Sequence, residues 1–303
     1  MASRFPLFRK SLGINNVSTP NRLIYREDGA CELAESINVI IDDSGSARRR
    51  EGTTLVRSGV ARSLWSAGSF CFYVVDGDLY RLRDDETSVL VASGVGGAKM
   101  HYTMMHGKVF CSNGSFRAII DDSTVTTWSA SIPLQTVSDT RTLGIPDTFT
   151  KIFHFNGRMY CVAGAILYES EPFNPRCFDM GNGFIMFDSN ILDACPVRGG
   201  VYVMTESGVW FLSGGSKTDF TLMHAHTSQP VANTFAHIPG GEVGGGDMMQ
   251  GIGTIFVCKD GVCVGDDGGR VTNMTSRKLV FDTASSGAGC YIPNGQYIFS
   301  LEV

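Results

Sequence analysis

Two histidines and two cysteines in this sequence are spaced closely enough to raise the question of a metal site. His224 and His226 alternate, so on a strand both side chains would project from one face. Cys258 and Cys263 lie five residues apart across a Lys-Asp-Gly turn, a spacing unlike that of zinc knuckles, and the chain has no CxxC. Neither pair has a third ligand at a telling spacing. A half-exposed strand face therefore explains the histidines better, and the sequence predicts no metal site and no cofactor.

Paired aspartates recur where turns are expected, at Asp42-Asp43, Asp84-Asp85, Asp121-Asp122 and Asp266-Asp267. A calcium loop needs carboxylates at alternating positions and a closing Glu, which residues 41–51 approach only faintly. Turn chemistry explains the pairs better, because an Asp side chain accepts a hydrogen bond from its own backbone two residues on. GxSxG, HExxH, Walker and dinucleotide motifs are absent. The sequence thus predicts a protein without catalytic residues, with a hydrolase as a minor alternative.

The sharpest charge run is Arg48, Arg49 and Arg50. One interpretation is contact with a polyanion or with an acidic partner subunit, and the three arginines are our candidate subunit contact. The simpler interpretation is a set of strand side chains at a solvated edge.

Composition narrows the class of protein. The 303 residues are 43% hydrophobic with a formal net charge of -5, so dominant disorder is excluded and a basic surface for nucleic acid is not expected. Nine cysteines, an odd number mostly beside large apolar residues, favour reduced core thiols over a disulfide framework. No apolar run is long enough for a signal-peptide core or a membrane span. We therefore expect a soluble chain that is neither exported nor inserted in a membrane.

The 36 glycines mark a repeat of short strands and turns. Segments that open with a glycine and continue through β-favouring residues recur at intervals of about forty to fifty residues, a period typical of β-propellers. The repeat starts are Gly68, Gly107, Gly157, Gly200, Gly253 and Gly295. The first segment reads as a four-stranded blade, with a hairpin turn at Asp76-Gly77.

The predicted fold is an all-β propeller, with six blades of four antiparallel strands. Five blades are the fallback if the irregular stretch 171–193 disrupts a unit. Residues 1–35 are predicted to form an extended N-terminal arm and residues 36–303 a single propeller domain. The last blade would be completed by residues 36–56 together with 288–303, so that pairing of N- and C-terminal strands closes the ring and removes open sheet edges. The glycine-rich loop within 214–247 is expected to be functional or flexible.

Several stretches then resemble, in the same order, a family of tailed-bacteriophage virion proteins. They are LGINNVSTPNRL (12–23), ACELAESINVIIDDSGSARRREGTTLV (30–56), LGIP (143–146), LYESEPFNPRCFD (167–179), VRGGVYVMTESGVWFLSG (197–214) and KDGVCVGDDGGRVTNMT (259–275). The chain is similar over nearly its whole length to the propellers of tail nozzle or packaged-DNA stabilisation proteins. These motifs are structural turns and not catalytic signatures.

The resemblance implies a non-enzymatic structural component of a phage tail, at the nozzle, collar or tail-tip baseplate. Its partners would be other tail proteins and copies of itself, assembled as a symmetric oligomer around the tail axis, with DNA passing through the assembled lumen. The expected location is the virion, after synthesis in the bacterial host cytoplasm. The alternative is a tail-tip propeller that binds a host receptor or glycan through aromatics, for which packing between blades is the simpler explanation; the candidates are Trp65, Trp128, Trp210 and Tyr291.

Overall fold

Hairpins with left-handed turn residues produce many of the strands. The computed structural model of the protein describes residues 10–37, 39–42, 44–50, 52, 55, 58–122, 124–135, 139–238, 253–292 and 296–302. Asp76-Gly77, His106-Gly107 and Asn156-Gly157 each have two consecutive positive φ angles, the backbone of a type I′ turn, whose twist matches that of paired antiparallel strands. The predicted turn at Asp76-Gly77 is confirmed. No helix among the described residues is long and apolar enough to cross a membrane.

The N-terminal part of the chain contributes two small sheets. Strand β1 (Lys10–Ile14) pairs in parallel with β2 (Ala30–Leu33), and β3 (Val39–Ile41) pairs antiparallel with β4 (Ala47–Arg49). A single 3₁₀ turn at Pro20–Arg22 lies between β1 and β2. The predicted arm, residues 1–35, therefore contains regular structure between Lys10 and Leu33.

Blades 1 and 2 follow the strands that the sequence predicts. Blade 1 consists of β5 (Ala61–Ala67), β6 (Phe70–Val75), β7 (Asp78–Leu82) and β8 (Ser88–Ala92), paired in that order. Blade 2 consists of β9 (His101–Met105), β10 (Lys108–Ser112), β11 (Arg117–Asp121) and β12 (Thr124–Thr127). Each is an antiparallel meander, because consecutive strands pair with each other through short turns.

Blade 3 absorbs the irregular stretch without losing its sheet. Its strands are β13 (Leu143–Gly144), β14 (Lys151–Phe155), β15 (Arg158–Ala163), β16 (Ile166–Glu171), β17 (Asn174–Asp179) and β18 (Phe184–Met186). Strand β18 pairs with the first half of β16, and β17 pairs with its second half and with β13. Two short strands thus share the position that one fourth strand holds in blades 1 and 2.

Blades 4 and 5 return to four strands each. Blade 4 consists of β19 (Ile191–Val197), β20 (Gly200–Thr205), β21 (Gly208–Ser213) and β22 (Thr221–His226). Blade 5 consists of β23 (Ala236–Ile238), β24 (Gly253–Cys258), β25 (Gly261–Gly265) and β26 (Val271–Asn273). The last hairpin pairs β27 (Ser286–Ile292) with β28 (Gln296–Glu302). Of the predicted 214–247 loop, residues 239–247 lie outside the described residues, as does Gly295.

The described residues form a propeller of five blades, so the fallback number is confirmed and six four-stranded blades are not supported. The reason is that β3–β4 and β27–β28 remain separate two-stranded sheets, with no ladder between them in the part of the chain that the structure describes. The proposed closure of a sixth blade by both chain ends therefore gains no support. The division at residue 35 stays a prediction.

The hydrophobic core is a series of layers between neighbouring blades. Each interface has its own cluster of buried side chains, and β27–β28 packs through Tyr297 and Phe299 against blade 5. Six of the nine cysteines are buried, five of them in these clusters, and all nine are free, as the sequence predicts; Cys290 is exposed. Apolar faces on both sides of each blade explain why the strands read as hydrophobic runs.

Candidate functional site

Polar side chains from neighbouring blades meet in a buried group that we call the axial cluster: Lys99, His101, Lys151, Asp193 and Asn233. Strand β14, which carries Lys151, lies next to both β9 and β19, and the first strands of propeller blades line the central channel. Lys151 Nζ donates to Asn233 Oδ1 at 2.8 Å and lies 3.5 Å from His101 Nε2. Asp193 Oδ1 is 3.9 Å from the same ammonium group, and Asp193 Oδ2 accepts from the Asn233 backbone N at 2.9 Å.

Burial sets the protonation of the axial cluster. Desolvation lowers the pKa of Lys99 to about 8, against the partial compensation of Asp193. Burial also lowers the pKa of Lys151. It lowers the pKa of His101 well below its ordinary value, and the two nearby ammonium groups add to this. A neutral His101 imidazole can accept a hydrogen bond from Lys151, whereas Lys99 Nζ donates outside the group, to the Gly287 backbone O at 3.4 Å. The contacts among His101, Lys151, Asp193 and Asn233 cross-link blades 2, 3 and 4.

A second group, the thiol cluster, lies where blade 4 meets blade 5. It consists of His226, Cys258, Asp260 and Cys263, whose ligand atoms all lie within 4.8 Å of one another. Cys258 ends β24 and Cys263 lies on β25, and both side chains are fully buried. His226 ends β22, with a side chain 18% exposed, and Asp260 in the β24–β25 turn is 43% exposed. Two of the four side chains, both thiols, are therefore buried, and the other two are partly exposed to solvent.

Hydrogen bonds and charges couple the members of the thiol cluster. His226 Nε2 lies 3.1 Å from Asp260 Oδ2 and 3.8 Å from Cys263 Sγ. Interaction with the Cys263 thiol raises the pKa of His226 to about 9. The pKa of Cys263 is lowered, chiefly by its contact with Cys258, whose own pKa is raised. Burial alone would raise the pKa of Asp260, but hydrogen bonds from His226 and Ser228 lower it. The four side chains therefore form one electrostatically coupled group.

The sequence indicated both the strand that carries His226 and the hairpin that carries the two cysteines, but it did not indicate that the two lie next to each other. His226 belongs to it, whereas His224 packs edge-on against Trp210, with ring centroids 4.5 Å apart. The two cysteines share one face of a hairpin, since Phe256 is the register partner of Cys263 and lies two residues before Cys258. That common face could have been inferred from a two-residue turn at Lys259-Asp260. The position of His226 beside these cysteines could not have been inferred, because it results from the packing of blade 4 against blade 5. The sequence-based prediction of no metal site stays untested.

A shallow cleft beside blade 3 contains a buried carboxylate that is already fully partnered. Glu169 is 8% exposed. Its carboxylate accepts from Tyr160 Oη and from Arg158 Nη1 at 2.9 Å each, and from the Lys217 backbone N at 2.6 Å. The cleft that it lines also includes Asp179. These three donors tie the Glu169 carboxylate to β15 and to the segment before β22.

The predicted subunit contact lies on the surface. Arg48 and Arg49 occupy the fully exposed β4, and Arg50 follows it, also exposed. No carboxylate of a described residue lies within 4.0 Å of any of the three guanidinium groups. The three side chains are exposed, as both interpretations require, and the subunit contact stays a prediction.

The acidic pairs act as turn residues. Asp42 Oδ1 accepts from the backbone N of Ser44 at 2.9 Å, Asp85 Oδ1 from that of Thr87 at 3.0 Å, and Asp266 Oδ1 from that of Gly268 at 2.8 Å. Each bond spans two residues, as an Asx turn requires. In the fourth pair, Asp122 forms an ion pair with Arg81 at 2.9 Å. Turn chemistry is thus confirmed for three of the four pairs.

The predicted aromatics pack within the blades. Trp128 is fully buried, with its indole edge-on to Phe110 and Phe149 at 5.0 Å. Trp65 stacks on Tyr102 at 5.4 Å between blades 1 and 2. Trp210 and Tyr291 are partly buried against neighbouring core clusters. The packing interpretation is confirmed, and the three tryptophans do not form an exposed platform for a sugar.

Comparison with known proteins identifies no family for this chain and finds similarity to solved structures only at low sequence identity. No family model and no curated protein matches the chain. Among solved structures it is similar to the WD40 β-propeller domain of Doa1, with 12% identity, 79% of this chain and 75% of that chain covered, and a TM-score of 0.46. It is also similar to a gluconolactonase from Xanthomonas campestris (10% identity; 82% and 88% covered; TM-score 0.46) and to an inactive virginiamycin B lyase from Staphylococcus aureus (10% identity; 92% and 90% covered; TM-score 0.47).

Proposed function

We propose that this chain is a non-enzymatic structural component of a bacteriophage tail, a propeller at the nozzle, collar or baseplate that assembles with copies of itself and with other tail proteins around the tail axis. In this role the assembled ring encloses the path of the DNA, and the protein resides in the virion. The ordered motifs from residues 12 to 275 that resemble tail proteins support the proposal. So does the internal pairing of the axial cluster and of Glu169, which favours cross-linking over catalysis.

The observation that carries the proposal is the N-terminal segment, residues 10–60. Within its described part Ala30 is the buried apolar residue, while several large apolar side chains are exposed. These are Val17 (48%), Ile24 (52%), Tyr25 (58%), Ile37 (75%), Leu55 (77%) and Val60 (70%). If these side chains adjoin one another, they provide the kind of apolar surface that a partner covers.

Strands β3 and β4 point to the same segment. An isolated two-stranded hairpin is only marginally stable in water, and the β3 residues are exposed or half-exposed while those of β4 are all exposed. Its outer edges can accept a further strand from another chain. The adjacent arginines add charge that an acidic neighbouring surface would pair. We therefore assign the subunit contact to this hairpin and to Arg48, Arg49 and Arg50.

The test has two parts. The chain is first produced with the proteins encoded by its neighbouring reading frames, and the complexes are examined by electron microscopy and light scattering. We expect a closed symmetric assembly that contains this chain, and the chain should be detected by mass spectrometry in purified particles. A chain that stays monomeric with every neighbour and is absent from particles would overturn the proposal.

The second part changes the contact surface. The variant R48E/R49E/R50E should abolish or weaken assembly at least about tenfold, because three like charges would then face an acidic partner. A matched control reverses three exposed arginines elsewhere, R83E/R198E/R277E, and should assemble normally. Equal behaviour of both triple variants would remove the arginines from the interface. Adsorption of the purified chain to host cells would instead favour the tail-tip receptor-binding alternative.

A further inference from the structure

We propose that the thiol cluster of His226, Cys258, Asp260 and Cys263 binds one Zn²⁺ ion as a structural site between blades 4 and 5. This inference does not depend on the proposed tail function. It starts from the convergence of four potential ligand atoms, all within 4.8 Å of one another. Ligand atoms about 2.0 to 2.3 Å from a tetrahedral zinc ion lie roughly 3 to 4 Å apart, so small side-chain movements would close the site.

The direction of the contacts favours a metal over a catalytic triad. In a Cys-His-Asp triad the imidazole uses one ring nitrogen for the nucleophile and the other for the carboxylate. Here both Asp260 Oδ2, at 3.1 Å, and Cys263 Sγ, at 3.8 Å, approach the same atom, His226 Nε2. A single nitrogen cannot bridge the two groups as a proton relay does. It can, together with them, point at one central cation.

The ligand set selects the metal. Two thiolates and one imidazole are soft or borderline ligands, which suit Zn²⁺ and exclude Mg²⁺ and Ca²⁺. With Asp260 as the fourth ligand the protein fills a tetrahedron, as in structural zinc sites, and leaves no position for a substrate. Cys258 and Cys263 are fully buried, whereas the Asp260 side chain is 43% exposed. The ion would therefore enter from the solvent side, past Asp260 and His226.

The surrounding residues hold the ligands in place. Asn273 Nδ2 on β26 donates to the backbone O of Asp260 at 2.8 Å, and the Asp260 backbone N donates to Ser228 Oγ at 3.2 Å. Gly261 has a φ of +143°, and a Cβ there would lie 2.6 Å from Asn273 Oδ1. The turn between the two cysteines is thus fixed from both sides. Such supporting contacts determine how well first ligands are aligned.

Zinc at this position would fasten the outermost strand of blade 4. Strand β22 pairs only with β21 among the described strands, and its residues from Thr221 to His224 are exposed. His226 is its last residue. An ion shared with the β24–β25 hairpin would join this edge strand to the interior of blade 5 and so protect it from opening.

The test measures binding by the purified full-length chain under reducing conditions after treatment with a chelator. Co²⁺ serves as the spectroscopic probe, followed by displacement with Zn²⁺. We expect one Co²⁺ per chain, with intense visible bands of tetrahedral geometry and near-ultraviolet thiolate-to-cobalt charge transfer. Zn²⁺ should also raise the melting temperature of the wild-type chain relative to the chelated protein, which is a readout that needs no variant.

Variants identify the ligands. C258S and C263S should each weaken binding by more than about 100-fold, since even outer partners of metal ligands cost 10 to 100-fold, and H226N should act similarly. The matched controls are H224N on the same strand, C111S for a buried thiol in blade 2 and C290S for the exposed thiol. Circular dichroism establishes that each variant is folded.

Three results would overturn the site: no Co²⁺ spectrum and no zinc-dependent melting shift in the wild type; binding retained by C258S and C263S; or loss of binding in C290S alone. A Cys258–Cys263 disulfide in the protein isolated without reductant, persisting in the presence of zinc, would also count against it. Loss of the spectrum in C258S, C263S and H226N, with all three controls normal, would establish it.

Discussion

The blades and the N-terminal segment use their apolar side chains in opposite ways. In blades 2 and 3 the large rings of Trp128, Phe149 and Phe178 are almost entirely buried, whereas Ile24 and Ile37 of the N-terminal segment are 52% and 75% exposed. The segment is instead held by polar contacts. Asn16 Nδ2 donates to Val280 O at 2.9 Å, and Asn16 Oδ1 accepts from Val280 N at 3.0 Å. We therefore expect substitutions in the blades to change the free energy of unfolding, and substitutions of the exposed side chains in the N-terminal segment to change association with other chains.

The largest expected effect is on the core side of the comparison. Trp128→Ala should lower the free energy of unfolding by about 3 to 5 kcal/mol, because it leaves a large cavity and removes a donor to Pro175 O. Its counterpart in the N-terminal segment, Ile24→Ala, should change that free energy by less than about 0.5 kcal/mol. Chemical denaturation of both variants checks the pair. Similar losses would mean that Ile24 is buried in the folded chain and would break the comparison.

The next largest loss of stability is expected in the axial cluster, where polar side chains, and not apolar ones, make the contacts between blades. Asp193→Asn should cost on the order of 3 kcal/mol, because Lys151 keeps its charge in a buried position with a weaker partner. Lys151→Met alone should also destabilise the fold. The double variant should lose less than the sum of the two single losses. Strict additivity in denaturation measurements would show that the two groups do not interact.

A smaller effect is expected where the N-terminal segment joins the body. Asn16→Ala removes two side-chain hydrogen bonds to Val280, so the free energy of unfolding should fall by about 1 kcal/mol. Backbone amides of residues 10–33 should exchange with deuterium faster, while those of the blades stay protected. Asn21→Ala, at an exposed position in the 3₁₀ turn, is the matched control and should leave exchange unchanged. Faster exchange throughout the blades would contradict the proposed independence of the two regions.

A pH dependence of stability is expected from Lys99. Its pKa is lowered to about 8 in the folded chain from an ordinary value of 10.5. Between those two values the unfolded chain binds a proton that folded Lys99 has released, so stability rises with pH over that interval. Below about pH 8 the buried charge opposes folding to its full extent. Lys99→Met should remove this part of the slope when unfolding is measured from pH 7 to 10.5. An unchanged slope would show that Lys99 is solvated.

Local sequence signals accounted for the hairpins but not for the way the blades dock. Asp76-Gly77 and the alternating residues around it define β6 and β7, because both the turn and the two faces are local properties. Cys258 and Cys263 could likewise be placed on one face of their hairpin. The approach of His226 depends on contacts between blades, which no spacing in a single sequence encodes.

The number of blades could not be predicted for the same reason. Strands β3–β4 and β27–β28 have the residues of strands, and pairing the N-terminal hairpin with the C-terminal one would give a sixth blade. Whether two hairpins from opposite chain ends pair is decided by long-range packing, and in the described residues each keeps its own partner. The exposed positions of Arg48, Arg49 and Arg50 were expected from the local pattern, whereas their role as a subunit contact stays a prediction.

The junction between Asn16 and Val280 also has a mechanical consequence. Its two hydrogen bonds link residues 264 positions apart, and Lys278 Nζ donates to Leu12 O at 3.0 Å beside them. A pulling force applied between the two ends of the chain would pass through this junction, and the five blades between Asn16 and Lys278 would lie outside the load path. The hydrogen bonds of the junction would therefore break before any blade unfolds.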